Sequence, residues 1–235
     1  MILKNRLFSY LFSISLILFL FLSGIDFCCF NRSFYNYQHE RITINGQRIS
    51  EYIGTDDEGL AELTDFLLSY LENRVDSLDM KMELHGTTRE VFNQKEKTHM
   101  VDVKNLYLTA MSIRNISLVL SLASLIYLLI KEKAKSFSSL FYSFKKTLMA
   151  YGIVIVAIAT AVIADFDSFW TTFHHIFFAG NDLWLLSLKT DVLIMIVPPE
   201  FFNNLLYFII ITIILFLLVA YLLLSTLDRK VANRD

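Results

Sequence analysis

The sequence predicts an all-α membrane protein: four transmembrane helices carrying a small, mainly helical extracytoplasmic cap, with a short β-hairpin signalled inside the cap. Three observations lead there. The 235 residues are 55% hydrophobic with a mean hydropathy of +0.50, too apolar for an ordinary soluble domain. Leu7–Ile25, Asn115–Ile130, Thr147–Ala164 and Leu205–Leu227 carry no charge, and they approach or exceed the ~20 residues that cross a bilayer. Basic residues, finally, alternate in density from one connection to the next.

That alternation sets the expected sidedness. Lys4 and Arg6 precede the first run, Lys131, Lys133, Lys135, Lys145 and Lys146 fill the link between the second and third, and Arg229, Lys230 and Arg234 follow the last. Between Asp165 and Asn204 there is a single basic residue, Lys189. The positive-inside rule then places both termini in the cytoplasm. In order, residues 1–30 form the first membrane helix and 31–110 the extracytoplasmic cap. The second helix is 111–130, the basic cytoplasmic loop 131–146 and the third helix 147–165. An outer loop rich in aromatics and histidine (166–203), the fourth helix (204–227) and a cytoplasmic tail (228–235) complete the chain.

The first run has the basic start of a signal peptide, but it is long and no A-x-A-like site follows, so it reads as a retained helix. The second is short by count, and its helix is expected to extend back past Arg114, whose stem can snorkel. Cys28 and Cys29 are adjacent and too few for a disulfide framework, and the preceding Ile25-Asp26-Phe27 lacks the small residues of a lipidation site. They read as two buried or interfacial thiols. A net charge of −2 points away from a nucleic-acid partner. The spans lack the ionisable groups that ion pathways and proton relays place within the bilayer, which disfavours a transporter or channel.

Within the cap, Asn45-Gly46 sits between short β-branched stretches in "RITINGQRI" (Arg41–Ile49), a type I′ hairpin signal. Thr55 and Glu58 have the spacing of a capping box. Leu60, Leu63, Leu67 and Tyr70/Leu71 then recur at helical spacing to about Arg74. Gly86 breaks the chain, and Thr87 with Glu90 makes a second capping box. From there to Ile130 there is no Gly or Pro, so one helix can run from the cap into the second span.

Two histidine constellations carry the chemistry. In "FNQKEKTHMVDVKNLY" (Phe92–Tyr107), His99 and Asp102 are i and i+3 on one helical face. A carboxylate there can accept one imidazole N–H and leave the other nitrogen free as a base; Glu96, at i−3, can do the same. Such a pair on a cap helix is more often structural than catalytic. Around "WTTFHHIFFAGNDLW" (Trp170–Trp184), Phe166 just upstream, Trp170, Phe173 and Phe177 fall within roughly 60° on a helical wheel and form one aromatic stripe. Such a stripe by itself is more often packing or a membrane-interface belt than a substrate pocket. His174 borders it, with Trp170 four residues before and Phe178 four after, where apolar surroundings keep an imidazole neutral. His175 points nearly opposite and reads as solvated or structural. "AGND" reads as a turn that brings Asn181 and backbone N–H groups towards the same place. Asp191 opens a short apolar run that Pro198-Pro199 stops, which reads as an interfacial helix followed by a rigid turn. His39 and His85 lack such surroundings, and the chain holds no H-E-x-x-H, G-x-S-x-G or P-loop motif.

At "HMVDVK" (His99–Lys104), "FHHIFF" (Phe173–Phe178), "GNDLW" (Gly180–Trp184) and "TDVLIMIVPPEFF" (Thr190–Phe202) the sequence resembles a bacterial family of four-span membrane proteins, the lipoprotein intramolecular transacylases. The resemblance implies an acyl shift within one substrate. A diacylglyceryl-cysteine lipoprotein passes its sn-2 ester acyl chain to the free α-amino group of that cysteine, giving the lyso-form. It implies two catalytic histidines in an aromatic-rich pocket, carried onto His99 and His174, and no metal or cofactor. Glu96, Asp102, Trp170, Phe173, Phe177, Phe178, Asn181, Asp182, Trp184 and Asp191 would orient these or bind substrate. The expected partners are diacylglyceryl-modified lipoproteins and membrane lipids. Two other readings stay open: a non-catalytic scaffold with an interaction cap, and a metal-dependent hydrolase using His99, His174, His175 and Asp102, which lacks regular ligand spacing.

Overall fold

The computed structural model describes residues 2–233, with the side chains of residues 2–4 left aside. Arg234, counted above among the basic residues after the last span, lies outside the described residues. The chain is mostly helical and divides into two compact units. Among the described residues, three stretches are long and apolar enough to cross a membrane: Asn5–Cys29, Gln94–Ala164 and Pro199–Ala232.

The first unit comprises the described parts of Met1–Phe27, Ala110–Ala164 and Phe208–Asp235. Its helices are the larger parts of α1 (Ile2–Cys29), α5 (Gln94–Glu132) and α9 (Pro199–Ala232), together with α6 (Ser136–Ala164). A 3₁₀ turn at Lys133–Lys135 separates α5 from α6, with Lys133 at φ 54. Side-chain pairs fix the helix directions. Asn5 donates to Glu132 at 2.7 Å and Arg114 pairs with Asp26 at 2.5 Å, so α1 and α5 are antiparallel. Ser9–Ser139 at 2.8 Å and Ser13–Ser143 at 2.9 Å make α1 and α6 parallel. Ser138–Asp228 at 2.5 Å and Phe141–Tyr221 at 5.3 Å make α6 and α9 antiparallel.

Physical chemistry explains the pairing. Lipid tails are as apolar as leucine, so helices associate through close packing and interhelical hydrogen bonds. Serines four apart on both α1 and α6 supply a buried polar seam, and Ser143 also donates to the Ser9 carbonyl at 2.9 Å. Gly24 lets α9 approach: a Cβ there would lie 2.9 Å from Ile213 Cγ1. Phe12, Ile17, Leu128, Leu140, Phe144, Ile213 and Leu217 fill the centre. Outward faces carry Ile116, Val119, Ile153, Val156 and Leu223, all more than half exposed. That pattern is the reverse of a soluble helix. Arg114, expected to snorkel, finds a carboxylate partner instead.

The second unit, Cys28–Thr109 and Asp165–Tyr207, contains α2 (Arg32–Arg41), α3 (Ile49–Ile53), α4 (Asp57–Leu71), α7 (Phe166–Phe177) and α8 (Val192–Ile196). The start of α5 and the start of α9 also belong to it. The Asn45-Gly46 hairpin forms as expected: β1 (Thr43–Ile44) pairs with β2 (Gln47–Arg48), and the turn residues take φ 54 and 81. The amphipathic α4 also forms, burying Leu60, Leu63, Leu67, Leu68 and Tyr70. Its cap is one residue later than predicted, because Asp56, not Thr55, accepts the Gly59 N–H at 2.8 Å.

Thr87–Glu90 overturns an expectation. It is not a helix start but strand β4, paired with β3 (Lys81–Leu84) across His85-Gly86, at φ 53 and 75. His85 thus plays the part of the asparagine in an Asn-Gly turn, a substitution that hides the hairpin from pattern reading. α5 begins after Asn93. Asn93 Oδ1 accepts the Glu96 N–H at 3.1 Å and Glu96 Oε2 accepts the Asn93 N–H at 2.7 Å, a reciprocal capping box. α8 is buried against α3 and α4 and does not lie at a surface as an interfacial helix would. Pro199 occupies the first position of α9, where its missing N–H costs nothing.

Candidate active site

Asp165 starts α7 by accepting the Ser168 N–H at 3.0 Å. Over the following turns the predicted stripe becomes a ladder of rings. Phe166 stacks on Trp170 at 5.7 Å, Trp170 on Phe173 at 5.7 Å, and Phe173 meets Phe177 at 4.8 Å. Phe177 ends the ladder about half exposed, whereas Phe178 turns inward and is buried. Phe202 at the start of α9 closes on Trp170 at 4.4 Å.

His174 is 4% exposed beside this ladder, edge-on to Trp170 at 4.5 Å and stacked on Trp184 at 4.7 Å. Its Nδ1 lies 2.8 Å from the Trp170 carbonyl. A carbonyl only accepts, so Nδ1 carries the proton and, in the neutral ring, Nε2 holds the free lone pair. Burial pushes its pKa below the ordinary imidazole value, against the Trp170 bond, and His175 adds to the lowering. His175 is exposed and meets Trp184 in a T-shaped contact at 5.4 Å. Of the doubled histidines, the structure buries His174.

His99, on the second turn of α5, is 6% exposed, and its ring centroid lies 6.1 Å from that of His174. It is edge-on to Phe178 at 5.2 Å. Burial first of all, with the His174 ring and Lys95 acting in the same direction and Asp102 opposing, pushes its pKa down to about 4. Its Nδ1 is buried without a hydrogen-bond partner among the described residues.

Neither carboxylate expected to orient His99 bonds to its ring. Asp102 accepts from Asn181 Nδ2 at 3.2 Å. Glu96, 0% exposed, is occupied by backbone: Oε1 accepts the Leu193 N–H at 2.6 Å and Oε2 the Asn93 N–H. Burial raises the Glu96 pKa, its backbone donors opposing. The His99 ring instead meets the rings of Phe178 and His174, while backbone N–H groups and Asn181 take the two carboxylates. Asp102 still acts on His99 through its field.

The remaining predicted residues serve the frame. Asp191 is buried and accepts from Ser187 N at 2.7 Å, Asn93 Nδ2 at 2.8 Å and Thr190 Oγ1 at 3.1 Å, with Lys95 Nζ at 4.0 Å. Burial pushes its pKa up, but these donors outweigh it and hold the carboxyl below its usual range. Asn181 Oδ1 accepts the Leu183 N–H at 3.1 Å, and the Asp182 carbonyl accepts from Leu185 N at 3.1 Å, so the "GND" turn presents Trp184 to His174. The Asp182 side chain itself is exposed.

Sequence reasoning passed over three groups. Asn93 both caps α5 and holds Asp191; the Asn-x-x-Glu spacing would have found the first role. Lys95 donates to the Leu185 carbonyl. His39, read as lacking special surroundings, is buried between Tyr35 and Phe201, with Nε2 3.0 Å from the Ile196 carbonyl. Those neighbours come from distant segments and leave no local signal. An open depression of about 330 Å³, lined by Asp165, Phe166, Asp167, Pro199, Glu200 and Asn203, does not include the histidines. Among the described residues no group of three or more His, Cys, Asp or Glu is placed to hold a metal ion.

Fold and site together define a helical, membrane-integral protein with two buried, neutral imidazoles facing one another. The chain belongs to the family described as lipoprotein intramolecular transacylase Lit, which matches residues 10–202. Its fold is similar to that of the membrane-integral lipoprotein intramolecular transacylase Lit from Bacillus cereus, solved in meso, with a TM-score of 0.77 and 22% identity over 98% of each chain. A structure of the same Bacillus cereus protein with a histidine-to-arginine mutation has a TM-score of 0.74 and 21% identity, covering 99% of this chain and 95% of that one. Another, with a histidine-to-alanine mutation, has a TM-score of 0.69 and 21% identity over 98% and 94%. Among curated protein sequences, nothing matches the chain.

Proposed function

We propose that this protein moves the sn-2 acyl chain of a diacylglyceryl-cysteine lipoprotein to the α-amino group of that cysteine, with His99 and His174 as the acid–base pair. The observation that carries the reading is the 6.1 Å approach of two buried imidazoles. The attacking nitrogen must lose a proton and the leaving glyceryl oxygen must gain one, and both are bonded to the same carbon in the tetrahedral intermediate. Two neutral rings at this separation can address both atoms without a covalent enzyme nucleophile. Folding the substrate into the required eight-membered ring is mainly an entropic problem, and a held near-attack geometry can supply roughly 7–11 kcal/mol. The aromatic ladder suits acyl chains and the exclusion of competing water.

Four membrane spans accompany this reading, supported by the alternating directions of α1, α5, α6 and α9. α5, at 39 residues, is about 58 Å long against a hydrocarbon core of ~30 Å, so its first turns, with His99, lie beyond the bilayer core. Both termini and residues 131–146 are cytoplasmic, while 31–110 and 166–203 form the extracytoplasmic face that bears the site. The basic residues of the connections support this orientation.

Mass spectrometry of a lipoprotein N-terminal peptide, from cells with and without this protein, tests the reaction. Acyl migration to nitrogen is expected only in its presence. His99→Ala and His174→Ala should each remove the lyso-form product at unchanged expression; full activity in either refutes the assignment.

A further inference from the structure

Trp184 poses a problem that the histidine pair does not solve. Its indole Nε1 is buried and has no hydrogen-bond partner among the described residues. An indole N–H can only donate, and a buried donor left without an acceptor is destabilising. The same ring stacks on His174 at 4.7 Å, and the turn that carries it is held by Asn181 and by the Lys95–Leu185 bond. A buried donor beside the base, on a segment fixed from both sides, is the arrangement expected of a group whose acceptor arrives with the substrate.

We propose that the Trp184 indole N–H is a further catalytic group, donating to the ester carbonyl oxygen as it becomes an oxyanion. In the step, the neutral amine attacks the acyl carbon and a C–N bond forms while the carbonyl π-electrons move onto oxygen. One imidazole takes the proton released from nitrogen. The oxyanion, held by the indole N–H, then reforms the carbonyl and the C–O bond to glycerol breaks. The glyceryl oxygen leaves with a proton returned from imidazolium, so an amide and a hydroxyl replace an ester and an amine. His99 and His174 handle protons and do not neutralise the oxyanion; the indole supplies that missing part.

This inference rests on the transacylase reading, and its test separates the two. Trp184→Phe keeps a ring for His174 and deletes the N–H. Site-specific replacement by β-(3-benzothienyl)alanine keeps the bicyclic shape as well and changes only N–H to sulfur. Rates are taken per folded molecule on a diacylglyceryl lipopeptide in proteoliposomes, with folding measured by thermal unfolding. Removing one such donor should lower kcat on the order of 10²-fold with little change in KM. In ¹⁵N-tryptophan-labelled protein, the Trp184 indole resonance, assigned by its loss in Trp184→Phe, should move downfield when a phosphonate analogue of the tetrahedral intermediate binds. Any folded variant lacking the N–H that turns over at the wild-type kcat overturns the donor role alone. Wild-type protein that yields no N-acyl product overturns the transacylase reading itself.

Discussion

At the residue scale, burial decides what each histidine can do. With its pKa pushed to about 4, His99 is neutral at pH 7 and, once protonated, a stronger acid than an ordinary imidazolium. His174 is also held neutral, but its Nδ1–H bond to the Trp170 carbonyl survives protonation and stabilises the cation, which suits a base. The pH dependence follows. The substrate α-amino group ionises near 7.7–8.0 in the absence of other influences, so kcat/KM should rise with pH through that range, while the enzyme's own imidazoles cause loss only below the ordinary imidazole range. A rate profile falling already between pH 7 and 6.5 in a way that tracks enzyme protonation, measured with a permanently neutral amine surrogate, would contradict this. Stability carries the same sign. The folded protein binds fewer protons than the unfolded chain between about 4 and the ordinary value of 6.5, so stability is full above 6.5 and declines as pH falls towards 4. Thermal unfolding of His99→Gln should lose part of that acid-side decline.

At the element scale, the start of α5 is the organiser. Its capping box uses Asn93 and Glu96, and the same two side chains reach Asp191 and the first turn of α8. A single carboxylate thus closes a helix terminus and ties down the segment behind Trp184. Glu96→Ala leaves buried N–H groups without acceptors, and the expected cost is about 1–3 kcal/mol each. Thermal unfolding should show it, with kcat/KM reduced and the pH profile unshifted, since Glu96 does not bond to His99. A shifted profile at unchanged stability would return Glu96 to the orienting role first expected of it. The cap that reading by pattern placed at Thr87–Glu90 is, in the folded chain, a strand; two competing signals sat six residues apart (93 − 87), and the one with a buried acceptor won.

At the scale of the whole molecule, long charge-free runs within helices, carrying many apolar side chains that are more than half exposed, make sense only in lipid. The orientation proposed above is open to labelling. In a background with Cys28 and Cys29 replaced by Ala, Gly46→Cys and Lys189→Cys should react with a membrane-impermeant maleimide on intact spheroplasts. Lys133→Cys should react only after permeabilisation. The opposite pattern would move the histidine pair to the cytoplasmic side, where lipoprotein N-termini of this kind would not be met.

Local regularity made much of this protein legible from its residues alone. Four apolar runs, the Asn45-Gly46 hairpin, the leucine face of α4 and the aromatic ladder of α7 depend on neighbours within a few positions, and periodicity reports them directly. The meeting of His99 with His174 belongs to the tertiary structure, as do the backbone partners of Glu96, the buried setting of His39 and the stranded indole of Trp184. Each depends on which distant segment packs alongside, and a side chain's hydrogen-bond partner is chosen by that packing, not by its spacing along the chain. Solvent exclusion then sets the protonation of the two imidazoles, and exclusion is a property of the folded surroundings that no short motif contains.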